Sequence, residues 1–179
     1  MKAILENICN GYLKDLCTIK YIFSNNREAH GIETARQMGF PVNIIDSKGR
    51  KRSQYNDLLK KWLLQINPDY IILAGYMLII PPEIIDLFPQ QIINIHPADT
   101  NLHQGLHGYE WAWDNKLAET TITIHFVDHG LDTGRIIAQK KVDLNGVRSL
   151  DEVETRGLKT EHQFYSEVLE KLLKEKYQF

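Results

Sequence analysis

Short apolar runs rich in β-branched residues recur at Thr18 to Phe23, Val42 to Ile45, Tyr70 to Ala74, Gln91 to Ile95 and Thr120 to Val127. Amphipathic segments separate the first four. This alternation predicts an α/β fold with an open, mostly parallel sheet flanked by helices. Tyr70-Ile71-Ile72-Leu73-Ala74 shows no polar–apolar alternation, as expected of a strand covered by helices on both faces. Glu28 to Met38, Ser53 to Ile66 and Tyr109 to Leu117 carry apolar residues at helical spacing, and Gly39 and Asn67-Pro68 stop the first two. Ser149 and Glu152 stand three apart in a capping-box pattern ahead of a long helical stretch towards Lys176. Residues 1 to 13 read as a helix already under way, whereas open nucleotide-type folds usually start with a strand and a glycine-rich turn.

Composition narrows the picture without changing it. A chain of 179 residues, 43% hydrophobic and 25% charged, matches one globular domain spanning residues 1–179. No internal repeat or Pro-, Gly- or Ser-rich linker divides it. With 21 Lys and Arg against 23 Asp and Glu, there is no excess positive charge for a nucleic-acid or anionic-membrane partner. Lys48, Arg50, Lys51 and Arg52 form a short basic stretch sufficient for one phosphate. Two cysteines, Cys9 and Cys17, point to a reducing cytoplasm rather than a disulfide scaffold. No apolar run is long enough for a bilayer, and Glu6 interrupts the start too early for a signal peptide. A homodimer and a monomer both remain open, since no heptad or edge pattern marks an interface.

Candidate chemistry gathers in two places. After the strand at Gln91 to Ile95 comes Asn94-Ile95-His96-Pro97, where residues two apart share a face, so Asn94 and His96 point to the same side. That end of a strand is where open α/β sheets bind ligands. The second is His125-Phe126-Val127-Asp128-His129-Gly130-Leu131-Asp132-Thr133-Gly134, whose acidic residues between two glycines suit a tight loop carrying a carboxylate to the site. Taken separately, each cluster also fits ordinary strand-end and turn chemistry. Together, an Asn, a His and an Asp supply what acyl transfer from an amide-like donor requires. A carboxamide and a protonated imidazole stabilise the tetrahedral oxyanion, while a carboxylate raises the histidine pKa and guides a proton from attacking amine to leaving nitrogen. His103 with His107 and His125 with His129 stand four apart, a spacing that can place two imidazoles on one helix face for a metal. One pair lies around Gly105 and the other crosses from strand to turn, so neither is expected on one helix face and no metal is expected.

Asn94-Ile95-His96-Pro97, Gly105-Leu106-His107-Gly108, His125-Phe126-Val127 and Leu131-Asp132-Thr133-Gly134 resemble the phosphoribosylglycinamide formyltransferases. The likeness extends to Phe23-Ser24-Asn25-Asn26, Gly31, Ala35-Arg36, Pro68-Asp69 and Leu73-Ala74-Gly75-Tyr76-Met77. It implies a Rossmann-like formyltransferase fold and transfer of a formyl group from the co-substrate 10-formyltetrahydrofolate to the amine of glycinamide ribonucleotide. Asn94, His96 and Asp132 would be the catalytic trio. The folate site would map to Met77, Leu78, Ile79, Ile80, Ile85, Asp128, His129, Gly130 and Leu131. Arg52 would contact the ribonucleotide phosphate and Glu161 the ribose hydroxyls, with Met77 and Pro97 also on the substrate. Leu78 stands where some members have arginine, and Ala98-Asp99-Thr100-Asn101 replaces a Ser-Leu-Leu-Pro run. Met1-Lys2-Ala3-Ile4-Leu5 matches the first helix of the family, so its first strand and phosphate loop have no counterpart here, and Met1 is expected to be internal to a longer chain. Thr18 to Phe23 would then lack a neighbour on one side, at about 1 to 3 kcal/mol for each backbone group buried unpaired. Other acceptors, water or a sugar-nucleotide amine, and a folate-binding remnant without catalysis are the competing readings. A plain dinucleotide-binding protein is disfavoured because no glycine fingerprint follows a first strand.

Overall fold

The computed structural model describes residues 1–177. Their elements run α1 (Lys2–Asn10), β1 (Ile22–Ser24), α2 (His30–Gln37), β2 (Val42–Ile44), α3 (Arg52–Ile66) and β3 (Ile71–Ile72). They continue with α4 (Pro82–Ile85), β4 (Ile92–His96), α5 (Gly108–Asp114), β5 (Glu119–Phe126), β6 (Ile136–Asp143) and α6 (Leu150–Tyr177). The α/β character expected from the pattern is present, and the helical segments lie close to their expected places.

The strands do not form one sheet. β1 pairs with β2 in parallel, and a separate sheet has the order β3-β4-β5-β6. β3 and β4 are parallel, whereas β5 is antiparallel to both β4 and β6. The expected parallel pairing holds among β1 to β4, while β5 enters antiparallel and β6 extends the sheet beyond the five expected strands. β6 escaped the sequence reading because Gln139, Lys140 and Lys141 break its apolar run. Its position at the sheet edge explains them, since edge strands carry lysines that discourage further pairing.

β1 is also shorter and later than the Thr18 to Phe23 run. Lys20 lies outside it and donates from Nζ to the carbonyls of Ile66 (2.8 Å) and Asn67 (3.0 Å), satisfying the C-terminal turn of α3. Asn67 ends that helix with φ of 41°, ahead of Pro68. At α6, Ser149 Oγ accepts from the Glu152 amide (3.3 Å), while the Glu152 carboxylate reaches back to the Arg148 amide (2.8 Å). The expected capping residues thus meet, with the return bond displaced by one residue.

Two apolar clusters form the core. One joins Ile93 of β4, Ile122 and Ile124 of β5, Val142 of β6, Tyr109 and Ala112 of α5, and Val153, Phe164 and Val168 of α6. The other joins Tyr55, Leu59 and Leu63 of α3 to Ile84, Ile85, Phe88 and Ile92. Tyr165 of α6 points its hydroxyl at the carbonyls of Leu73 and Ile93, each 3.0 Å away, and so ties the long helix to β3 and β4.

Candidate active site

The site begins at β4. Asn94 and His96 lie on one face of the strand, and its antiparallel pairing places His125 of β5 directly across from Asn94. The loop after β5 then brings back Asp132, held with φ of 52°. That loop closes tightly because Gly134 has no side chain: a Cβ there would stand 1.8 Å from the Phe126 carbonyl oxygen.

Asp132 is the hub. Its Oδ2 lies 3.5 Å from His96 Nδ1, and its Oδ1 lies 3.4 Å from His125 Nε2. Asn94 Nδ2 is 3.4 Å from Asp132 Oδ1 and 3.5 Å from His125 Nε2. The Gly105 amide donates to Asp132 Oδ2 at 2.8 Å, so the loop before α5 is fastened to the carboxylate. Burial raises the Asp132 pKa, but the His125 bond, the Gly105 amide and the neighbouring imidazoles outweigh it, and the net shift is downward. The carboxylate is held ionised.

Hydrogen-bond partners fix the imidazole tautomers. His96 Nε2 lies 3.0 Å from the His103 carbonyl, an acceptor only, so Nε2 carries the proton. In the neutral ring Nδ1 then presents its lone pair towards Asp132. His125 Nδ1 donates to the Phe126 carbonyl at 2.9 Å, leaving Nε2 to face Asn94 and Asp132. Burial lowers the His96 pKa by more than the Asp132 charge raises it. This corrects the sequence-based expectation of a raised pKa: the ring is only 3% exposed, and desolvation of the cation prevails. His96 is neutral at neutral pH, with a free nitrogen aimed at a carboxylate.

The remaining candidates fall into separate groups. Met77 and Ile79 are each 72% exposed and Leu131 is 54% exposed, so these side chains offer apolar surface. Ile80 and Ile85 are buried in the second cluster, with Leu78 packed partly against it. Asp128 accepts from the Gly130 amide (3.0 Å) and the Thr133 hydroxyl (2.7 Å), which shapes the loop bearing Asp132. His129 bonds Asp86 at 2.9 Å. Arg52 donates to the Ile79 carbonyl, placing its guanidinium beside the Met77–Ile80 segment. Pro97 packs against Gly108 at the start of α5. Glu161 accepts from the Tyr109 hydroxyl, and burial raises its pKa against the lowering effect of that bond. The bonds of Arg52 and Glu161 thus run to Ile79 and Tyr109, apart from the cluster of Asn94, His96 and Asp132.

His125 was missed as a site residue. The sequence places it in the motif His125-Phe126-Val127 and in a metal pair with His129 but gives it no role; His125 is buried at the hub while His129 lies outside on Asp86. The antiparallel β4–β5 register is what brings His125 in. His103 and His107 likewise part: His103 stacks on Trp111 with ring centroids 5.0 Å apart, and His107 bonds Glu110 at 2.7 Å. Among the described residues, no group of three His, Cys, Asp or Glu is arranged to hold a metal ion.

The chain is similar to known proteins over most of its length. Residues 1–169 match the family described as formyl transferase. Phosphoribosylglycinamide formyltransferase of Escherichia coli K12 is 33% identical over 170 residues, covering 94% of this chain and 79% of the relative. The chloroplastic enzyme of the same name from Arabidopsis thaliana is 33% identical over 87% of this chain, which spans 56% of that longer relative. The phosphoribosylglycinamide formyltransferase structure from Bacillus halodurans superposes with a TM-score of 0.88 at 31% identity, covering 96% of this chain and 88% of its own. That of glycinamide ribonucleotide transformylase 1 from Geobacillus kaustophilus gives 0.88 at 29% identity, over 96% of this chain and 91% of its own. The fold is thus the Rossmann-like one that the motifs implied, and the chain belongs to the formyl transferase family.

Proposed function

We propose that this chain transfers the formyl group of 10-formyltetrahydrofolate to the amine of glycinamide ribonucleotide, a step of purine biosynthesis. The observation that carries the reading is one carboxylate, Asp132, within 3.5 Å of two imidazoles and one carboxamide at the ends of β4 and β5. The amine nitrogen attacks the formyl carbon, the carbonyl oxygen takes up negative charge, and collapse breaks the bond to N10 of the folate. The proton lost by the amine leaves with that nitrogen. Asn94 is the oxyanion donor, because its present bonds are long and its amide can turn to the formyl oxygen. His96 Nδ1 is the relay for that one proton, taking it up as the amine attacks and giving it to N10 as the bond to the formyl carbon breaks, with Asp132 stabilising the transient cation. No side-chain nucleophile is needed, and positioning of the two substrates contributes much of the rate.

The apolar surface of Met77, Ile79 and Leu131 flanks the folate, with Leu78, Ile80 and Ile85 backing it and the Asp128–Leu131 loop closing over it. Arg52 takes the phosphate and Glu161 the ribose hydroxyls, with Met77 and Pro97 along the glycinamide. Residues 1–179 act as one domain on small molecules, and the free cysteines Cys9 and Cys17 suit a reducing cytoplasm.

The test is formyl transfer by the purified chain, with glycinamide ribonucleotide and water compared as acceptors. Transfer to the ribonucleotide is expected, and Asp132→Asn should lower kcat by about 10²–10⁴ with the fold retained. Preferred transfer to water would identify a hydrolase. Folate binding without turnover to any amine would make the chain a non-catalytic binder.

A further inference from the structure

Glycine is unfavourable inside a helix, yet Gly157 lies well within α6. Its neighbour supplies the reason. A Cβ on Gly157 would stand 2.2 Å from Cε1 and 2.3 Å from Cζ and Oη of Tyr109, so the phenol ring of α5 lies directly on the α6 backbone. From that seat the Tyr109 hydroxyl donates to Glu161 Oε1, one turn further along α6. The bond engages Oε1 and leaves Oε2 to accept from a ligand hydroxyl. Burial raises the Glu161 pKa and the Tyr109 bond opposes that rise, favouring the ionised form, which only accepts.

The same turn of α5 is seated on the catalytic strand. Gly108 precedes Tyr109, and a Cβ on it would stand 3.0 Å from Cγ and from the carbonyl oxygen of Pro97. Pro97 directly follows His96, the last residue of β4. Two consecutive residues, Gly108 and Tyr109, thus join the end of β4 to the carboxylate on α6. Tyr109 is 8% exposed and packs in the first apolar cluster, so its ring has little freedom to swing. A glutamate side chain without such a partner loses rotamer freedom when a ligand fixes it, and holding it beforehand removes that cost from binding.

We propose that Tyr109 is a positioning residue that selects the acceptor. Through its bond to Glu161 it holds the carboxylate that takes the ribose hydroxyls in fixed register with His96, so an acceptor carrying both hydroxyls is preferred to one without them. The inference rests on the assignment of Glu161 to those hydroxyls.

The test compares glycinamide ribonucleotide with its counterpart lacking both ribose hydroxyls as acceptors for the full chain, for Glu161→Gln and for Tyr109→Phe. In the unaltered chain the ribonucleotide should have the lower KM by about tenfold or more. Each substitution should erase most of that preference by raising the ribonucleotide KM about tenfold, with kcat within about twofold and the KM of the counterpart unchanged. Tyr109→Phe retains the ring, and a general loss of packing would impair both acceptors alike. A preference lost in Glu161→Gln but kept in Tyr109→Phe, or an equal penalty on both acceptors in Tyr109→Phe, would overturn the proposal alone. A preference kept in Glu161→Gln, or an unaltered chain that does not distinguish the two acceptors, would remove the assignment of Glu161 and the proposal with it.

Discussion

His96 is almost fully out of water; the carboxylate of Asp132 lies 3.5 Å away, and the titratable rings of His125 and His103 also face it. Burial depresses its pKa below the ordinary value of about 6.5. The unfolded chain therefore binds a proton that the folded chain resists. The stabilisation from neutral His96 is fully present above about pH 6.5 and is lost as pH falls through the lowered folded value. His96→Gln should flatten the decline of the urea midpoint across that acid window, leaving the neutral-pH plateau to report any loss of packing. An unaltered slope would show that His96 does not titrate with unfolding. At this scale the sequence was legible where chemistry is local. Asn94 and His96 share a face by the strand's period of two, and Asp132 sits in a loop whose Asp and Gly content announces a turn. His125 was legible as part of a motif but not as a neighbour of Asn94, because that place depends on the antiparallel register rather than on its neighbours in the chain. The sign of the His96 shift was equally hidden, since a residue list names the carboxylate but not the burial that outweighs it.

Among the elements, helices were read well because their stop signals are local. Asn67 takes the left-handed conformation ahead of Pro68, and Ser149 receives the Glu152 amide at the start of α6. Strands were read less well. β3 was expected over Tyr70 to Ala74 but pairs only at Ile71–Ile72, because Gly75 then turns the chain with φ of 77°. What α6 does for β3 was beyond any pattern. Tyr165 lies 92 residues from Leu73 in sequence, yet its hydroxyl meets the Leu73 carbonyl and, 72 residues away, that of Ile93. One proton is shared between two carbonyls in a buried setting. Tyr165→Phe should lower the unfolding free energy by about 1–2 kcal/mol, as expected when a buried hydrogen bond is removed without opening a large cavity. Urea unfolding of the two proteins checks this, and a change within about 0.3 kcal/mol would mean the hydroxyl bonds add nothing net.

The whole molecule is held together unevenly. The sheet of β3 to β6 has Ile93, Ile122 and Ile124 with no exposure, wedged between α5 and α6, and it carries Asn94, His96 and His125. The β1–β2 sheet has three residues in each strand, all of them only partly buried, and among the described residues it shares no strand pairing with the larger sheet. Two paired strands are marginal without further packing. Their support comes from α2 and from Phe23, which stacks on Trp62 of α3 with centroids 5.0 Å apart. Local opening free energy follows buried contacts and protected hydrogen bonds, so the two sheets should not open together. Native-state hydrogen exchange should show the β1 and β2 ladder amides opening below the global unfolding free energy, while those of Ile93 to Ile95 and Ile122 to Ile124 exchange only by global unfolding. Denaturant dependence separates the two routes, since local opening exposes little surface and its slope is shallow. Equal opening free energies with the same steep slope in both sheets would mean that the apolar packing of α1, α3 and α6 couples the sheets as firmly as a ladder would. The site would then stand on one cooperative unit instead of on the larger sheet alone.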